Sequence, residues 1–147
     1  LCLPVEFGTQ RMLDVVNKKT DLEKIKKIIP LVEKNRIKAS CFFIIGHPEE
    51  TLEEIKETIK LAKSLPISRA YFSIFKTLPG SPDYYKYGKE KGRLIFSDGN
   101  KKIKKIQRYA LLSFYFRPKQ LLTVIHDNLS FSQFKGLLKI ISKFIIG

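Results

Sequence analysis

The chain has 147 residues, about one domain's worth, and an apolar content of 44% that suffices for a real core. No apolar run approaches the roughly 20 residues needed to span a bilayer, nothing at the start resembles a signal peptide, and the two distant cysteines, Cys2 and Cys41, form no CxxC pair. The net charge of +14 leaves two readings open, an AT-rich coding bias that favours Lys and Ile, or contact with an anionic surface or ligand.

The first segment, Leu3 to Phe7, is a short apolar stretch ending at Gly8. Thr9 to Val16 reads as a short helix. Thr20-Asp21-Leu22-Glu23 has the form of a capping box. Behind it Leu22, Ile25, Ile28, Ile29 and Val32 recur at helical spacing, and Pro30 is expected to bend or split that helix. Lys38 to Ile45 is a strand apolar on both faces, as in parallel sheets covered by helices. It stops at Gly46, turns through Pro48 and enters a second capping box, Thr51-Leu52-Glu53-Glu54. Ile55, Ile59 and Ala62 continue a buried stripe to Ser64 before Pro66 blocks continuation. Arg69 to Thr77 is a third strand, ending in Leu78-Pro79-Gly80-Ser81-Pro82, and Asp83 to Lys91 looks helical.

After Ser97-Asp98-Gly99-Asn100 the character changes. Residues 101–147 carry ten basic residues and one acid, Asp127. Lys101 to Phe116 reads as a basic, aromatic-rich helix interrupted by Arg117-Pro118, with a further helix to His126. A third capping box, Ser130-Phe131-Ser132-Gln133, opens a final helix with Lys135, Lys139 and Lys143 on one side.

Strand, helix, strand, helix, strand, helix with right-handed crossovers makes a parallel sheet. The expected fold is α/β: a partial (β/α) barrel of about three parallel βα units over residues 1–96, followed by a C-terminal helical extension over 101–147. Three units are less than half of an eight-stranded barrel, which needs about 250 residues. Either the sheet is open or the other strands lie in an N-terminal part that precedes Leu1. Ligands of such sheets sit at the carboxyl ends of the strands.

The rim segments resemble a known family. Glu6-Phe7-Gly8-Thr9-Gln10-Arg11-Met12-Leu13 is similar to a Glu-Ser-Gly element followed by a polar residue, Arg and Leu, and Lys18-Lys19-Thr20 to the Lys and Thr that open the next helix. Gly46-His47-Pro48-Glu49-Glu50-Thr51 resembles a Gly-Leu-Pro-Gly-Glu-Thr joint, Thr77-Leu78-Pro79-Gly80-Ser81-Pro82-Asp83-Tyr84 a Pro-x-Pro-Gly-Thr-x-x-Tyr joint, and Phe114-Tyr115-Phe116-Arg117-Pro118 a Phe-Tyr-x-Arg-Pro element. Together these resemble the C-terminal half of the radical S-adenosylmethionine (SAM) superfamily, nearest to its cobalamin-binding-type branch. The resemblance implies SAM and a four-iron four-sulfur cluster as cofactors, with cobalamin open for the complete protein. The cluster-binding Cys-x3-Cys-x2-Cys triplet of that family is absent, and two cysteines cannot supply three ligands. Phe7 replaces a small polar residue and Glu49 a glycine. The chain therefore reads as a fragment or as a truncated, inactive relative.

On this resemblance Glu6, Arg11, Ile44 and Gly46 are the candidate SAM contacts. For Glu6 the alternative is pairing with a nearby Lys or Arg; for Arg11, a solvated helix face; for Ile44, ordinary core. Tyr71, Ser73 and Phe75 are expected to face the barrel interior, with Pro79 and Gly80 shaping the substrate mouth. Glu50 and Thr51 read as helix-start chemistry, His47 as an exposed histidine beside a turn, and Cys41 as a small core residue. No catalytic residue and no metal site is assigned.

The first functional expectation is the C-terminal fragment of a radical SAM enzyme, with a cobalamin-dependent methyltransferase or cyclase as the complete protein left open, inactive alone. Its partners would be the cluster-bearing N-terminal half and a small-molecule or lipid-like substrate. The alternative is a truncated, non-catalytic protein whose basic C-terminal helix binds an anionic membrane or a partner protein. Arginine is scarce and no nucleic-acid motif is present, so nucleic acid is not expected. The expected location is cytoplasmic, with peripheral contact at the inner face of the membrane left open.

Overall fold

The computed structural model of the chain describes residues 1–87, 101–118, 120 and 122. Three strands, β1 (Cys2–Glu6), β2 (Ser40–Ile45) and β3 (Arg69–Ile74), form an open parallel sheet in the order β1-β2-β3. Helices α1 (Gln10–Val15) and α2 (Leu22–Lys34) connect β1 to β2. Helix α3 (Leu52–Ser64) connects β2 to β3, and α4 (Pro82–Tyr87) and α5 (Lys101–Tyr115) follow. The expected α/β architecture with a C-terminal helix is observed, and α5 is the described part of that extension.

One face of the sheet is buried. Val5, Cys41, Phe43, Ile45, Ala70 and Phe72 join Met12, Leu13, Leu22, Ile29, Ile55, Ala62, Ile103, Ala110 and Phe114 in a single core. Among the described residues the other face is uncovered. Phe42 and Tyr71 stand beside each other on neighbouring strands, 42% and 38% exposed, with ring centroids 4.7 Å apart. The expectation that β2 is covered on both faces therefore fails among the described residues: its pattern is alternating, not continuous burial.

The outer edge of β3 is sealed by α5. Gln107 Nε2 donates to the Phe72 carbonyl at 2.6 Å and Tyr115 Oη to the Ala70 carbonyl at 3.2 Å. Those two alternate carbonyls face away from β2 and would otherwise be the template for another strand. Arg117 stacks on Phe114 with 4.3 Å to the ring centroid and donates to the Lys63 carbonyl, fastening the end of α5 to α3.

Local details correct the sequence expectations. Asp21, not Thr20, caps α2: its carboxylate accepts from the Glu23 and Lys24 amides at 2.8 and 3.3 Å. The helix runs on through Pro30 without splitting. Ile28 is exposed, to one side of the Leu22–Ile29 stripe. The Thr51–Glu54 capping box forms with both reciprocal bonds. The β3 strand ends at Ile74 rather than Thr77. The C-terminal end of the Asp83–Lys91 helix, the segment towards His126 and the helix from Ser130 lie outside the described residues. Among the described residues no helix is long and apolar enough to cross a membrane.

Candidate functional site

The carboxyl ends of the three strands form one rim. At β1 the register slips: Pro4 pairs with Phe42 but Glu6 with Phe43, so Val5 and Glu6 share one partner position as a bulge. The Phe7 amide donates back to the Val5 carbonyl at 3.0 Å, and Glu6 at the centre of this three-residue turn has φ +69°. A non-glycine residue in that region is strained by about 1–3 kcal/mol, and such strain concentrates at functional sites. The Glu6 carboxylate is held by Lys18 at 2.6 Å, so the alternative pairing considered for Glu6 is present in this structure.

Gly8 follows immediately. A Cβ there would sit 2.3 Å from Thr58 Cα and 2.5 Å from Thr58 N. The missing side chain lets the β1–α1 turn press against α3, where the Gly8 amide donates to Thr58 Oγ1 at 2.9 Å.

The β2–α3 joint is the densest part of the rim. Gly46 has φ +82°, a conformation that suits glycine, and its amide donates to Glu50 Oε2 at 2.6 Å. Glu50 is buried, and its other carboxylate oxygen, Oε1, has no hydrogen-bond partner. Burial pushes the Glu50 carboxyl up to about 7, against the opposing pull of the Gly46 and His47 amides. Arg11 reaches the joint from α1. Its Nε and Nη2 grip Glu54 at 2.7 and 2.6 Å as a bidentate fork, and Nη2 also donates to the Glu49 carbonyl at 2.8 Å. The Arg11 hydrogen bonds hold the Glu54 carboxyl down at about 2. Arg11 is thus a cross-brace between α1 and α3, an engagement that neither reading of it from the sequence contained.

His47 is only 1% exposed, against the expectation of a solvent-facing histidine. Rings from all three rim segments enclose it: Phe7 at 6.2 Å, Phe75 at 4.5 Å and Tyr87 at 5.4 Å between centroids. Its Nδ1 accepts from the Glu49 amide at 3.2 Å. Burial lowers its pKa, so the imidazole is favoured in its neutral form.

On β3, Tyr71 and Ser73 lie on the open face, while Ala70 and Phe72 enter the core. Phe75 falls past the end of the strand, where the alternation no longer applies, and packs on His47. Leu78-Pro79-Gly80-Ser81 is a tight turn closed by the Ser81 amide on the Leu78 carbonyl at 3.0 Å, with Gly80 at φ +88°. Proline followed by a positive-φ glycine is the chemistry of a type II turn. Ile44 is partly buried and shares a register position with Ser73.

The structure therefore gathers Glu6, Arg11, Ile44, Gly46 and Phe75 around one rim, with Tyr71 and Ser73 on the adjoining open face and Pro79 and Gly80 on the following turn. Sequence reasoning missed the Arg11–Glu54 pair and the buried state of His47 and Glu50, and did not single out Lys18 as the partner of Glu6. The two pairs join residues 43 and 12 apart, beyond the reach of local spacing.

The two cysteines do not fit an iron–sulfur cluster. Cys41 is in the core and burial pushes its thiol up to about 12, far from the thiolate a cluster requires. Cys2 is exposed and shares the register position of Ser40, on the opposite face. Among the described residues no group of three metal-ligating side chains occurs. What the rim does offer is a carboxylate at Glu6, a partly buried apolar side chain at Ile44 and a positive-φ glycine at Gly46.

No family model matches the chain. It is similar to an uncharacterized methyltransferase of Pyrococcus horikoshii, 30% identical over 92% of this chain and 34% of that protein. It is also similar to tRNA-2-methylthio-N(6)-dimethylallyladenosine synthases of Buchnera aphidicola, 38% identical over 56% of this chain and 19% of the relative, and of Ehrlichia canis, 39% identical over 54% and 19%. The chain spans about a third of the length of the first of these relatives and about a fifth of the other two. These similarities support the radical SAM superfamily as the wider kinship of the chain.

Proposed function

We propose that this chain is the carboxyl-side portion of a radical SAM barrel, and that its rim forms part of the pocket for SAM and substrate. The observation that carries this reading is Glu6: a carboxylate on strained backbone at the end of β1, with a positive-φ glycine following the end of the neighbouring strand β2. SAM and a reduced cluster held elsewhere would supply the radical chemistry. This chain's residues bind and orient. Glu6 accepts hydrogen bonds from the SAM amino end, with Lys18 holding its carboxylate in place. Ile44 and Gly46 form the wall against which the adenine lies. Arg11, committed to Glu54, stiffens the rim rather than gripping the ligand directly. Tyr71, Ser73, Pro79 and Gly80 border the substrate.

The finer reading is a methyl- or methylthio-group transfer, or a cyclisation, in the cobalamin-binding-type branch. Five ordered sequence motifs support the branch, and the names of the relatives support a methyl- or methylthio-group transfer.

The chain alone, reconstituted with iron and sulfide, is expected to show no stoichiometric absorption near 400 nm and no SAM cleavage. Joined to an N-terminal segment bearing three closely spaced cysteines, it is expected to bind SAM, and Glu6→Gln to weaken that binding about tenfold. A stoichiometric cluster on the isolated chain, or SAM binding indifferent to Glu6→Gln, would overturn the reading.

A further inference from the structure

Helix α4 has six residues and none of them is buried. A helix that short is not stable by itself, so its place against the rim needs an outside cause. Its described side-chain contacts to the strand ends converge on two residues of the β2–α3 joint. Lys86 Nζ binds Glu49 Oε1 at 2.6 Å, and Tyr87 Oη donates to the same oxygen. The Tyr87 ring meets His47 edge-on at 5.4 Å, and Lys86 lies 4.9 Å over the Tyr87 ring. His47 in turn touches Phe7 and Phe75, so one imidazole bears on the ends of all three strands. Glu49 is tied from its backbone side as well, through the Arg11 bond to its carbonyl.

From this we infer that His47 and Glu49, with Tyr87 and Lys86, form a clasp that holds α4 and the Leu78–Ser81 turn as a cover beside the carboxyl-end rim. The four are positioning residues. Glu49 is the fastener and His47 the seat: the ionic bond is exposed and readily exchanged, while the ring contacts are enclosed. The energetics favour a cover that opens. An exposed ion pair is individually weak, a six-residue helix adds little cohesion, and the turn before it is a defined two-residue pivot at Pro79 and Gly80. The described core residues do not include any from 76–87, so α4 can swing without disturbing the core. That the cover guards a SAM and substrate pocket rests on the reading above; the clasp itself rests only on the contacts.

The test is hydrogen–deuterium exchange of the whole chain, comparing wild type with Glu49→Ala, Lys86→Ala, the double alanine variant and the charge swap Glu49→Lys with Lys86→Glu. Each single alanine is expected to speed exchange of the residue 83–87 amides about fivefold, the scale of an exposed ion pair, and to leave α3 and β2 unchanged. The double variant is expected to be no faster than Glu49→Ala, which already loses both the Lys86 and the Tyr87 bonds, and the swap to restore the ionic part of the protection. His47→Leu, which keeps bulk but loses the Nδ1 acceptor, is expected to loosen the same peptide. Exchange at 83–87 that is unaltered in the single variants, or that rises additively in the double one, would overturn the clasp. If the clasp behaves as stated while the joined protein fails to bind SAM, only the pocket reading falls.

Discussion

Three residues carry most of the rim's physical logic. Gly8 is the first, because it has no room for a side chain. Gly8→Ala is expected to cost about 3 kcal/mol in urea unfolding, since the clash is with Thr58 backbone that cannot step aside. Glu50 is the second. Its folded pKa of about 7 exceeds the ordinary 4.5, so the folded state holds the proton more tightly. Its contribution to stability is fully present below 4.5 and is lost as pH rises through about 7. Glu50→Gln keeps an acceptor for the Gly46 amide and removes the charge. It is expected to be more stable than wild type by roughly 2 kcal/mol at pH 8, with the gap closing near pH 4.5. Parallel stability–pH curves for the two proteins would rule out Glu50 as the source. Glu54 works in the opposite sense. Held down at about 2 by Arg11, it contributes above 4.5 and loses that contribution as pH falls through about 2.

Among the elements, α3 and α5 decide how the sheet is finished. The Thr51 cap of α3 satisfies the Glu54 amide, and Thr51→Ala is expected to lower stability by about 1 kcal/mol in thermal unfolding. That device was legible in the sequence, because a capping box is set by residues three apart. The finish of β3 was not. Tyr115 and Gln107 belong to a helix that reads from sequence as basic and aromatic, yet two of its side chains serve as substitutes for a fourth strand. Tyr115→Phe combined with Gln107→Ala is expected to expose two edge carbonyls, cost about 2 kcal/mol and promote association on size-exclusion chromatography. Helix α2 shows the converse. Its period identified the helix, but the capping residue and the exposure of Ile28 depended on how the α1–α2 turn was drawn in, with Gln10 accepting from the Leu22 amide and donating to the Thr20 carbonyl.

The whole molecule is asymmetric. One sheet face is packed and the other presents Phe42 and Tyr71; the β3 edge is covered by α5, while β1 is an edge strand with no outer neighbour among the described residues. An apolar face beside a free strand edge is adhesive. The isolated chain is expected to bind an apolar dye such as ANS strongly and to self-associate with rising concentration in sedimentation, and both effects to disappear when an N-terminal barrel segment is supplied. A monomeric chain that ignores the dye would show that the face is already covered.

The sequence by itself determined the order of strands and helices, the α3 cap, the parallel topology and the rim as the place to look. Each of these is written in short-range spacing: periods of two and 3.6, prolines after strands, caps three residues long. Tertiary structure alone decided that Arg11 serves Glu54, that His47 is enclosed by three rings, that Glu50 is buried with a free oxygen, and that α5 ends the sheet. The Arg11 and α5 outcomes depend on groups brought together from 35 to 45 residues apart, and the burial of His47 and Glu50 on desolvation, which no local pattern of residues encodes.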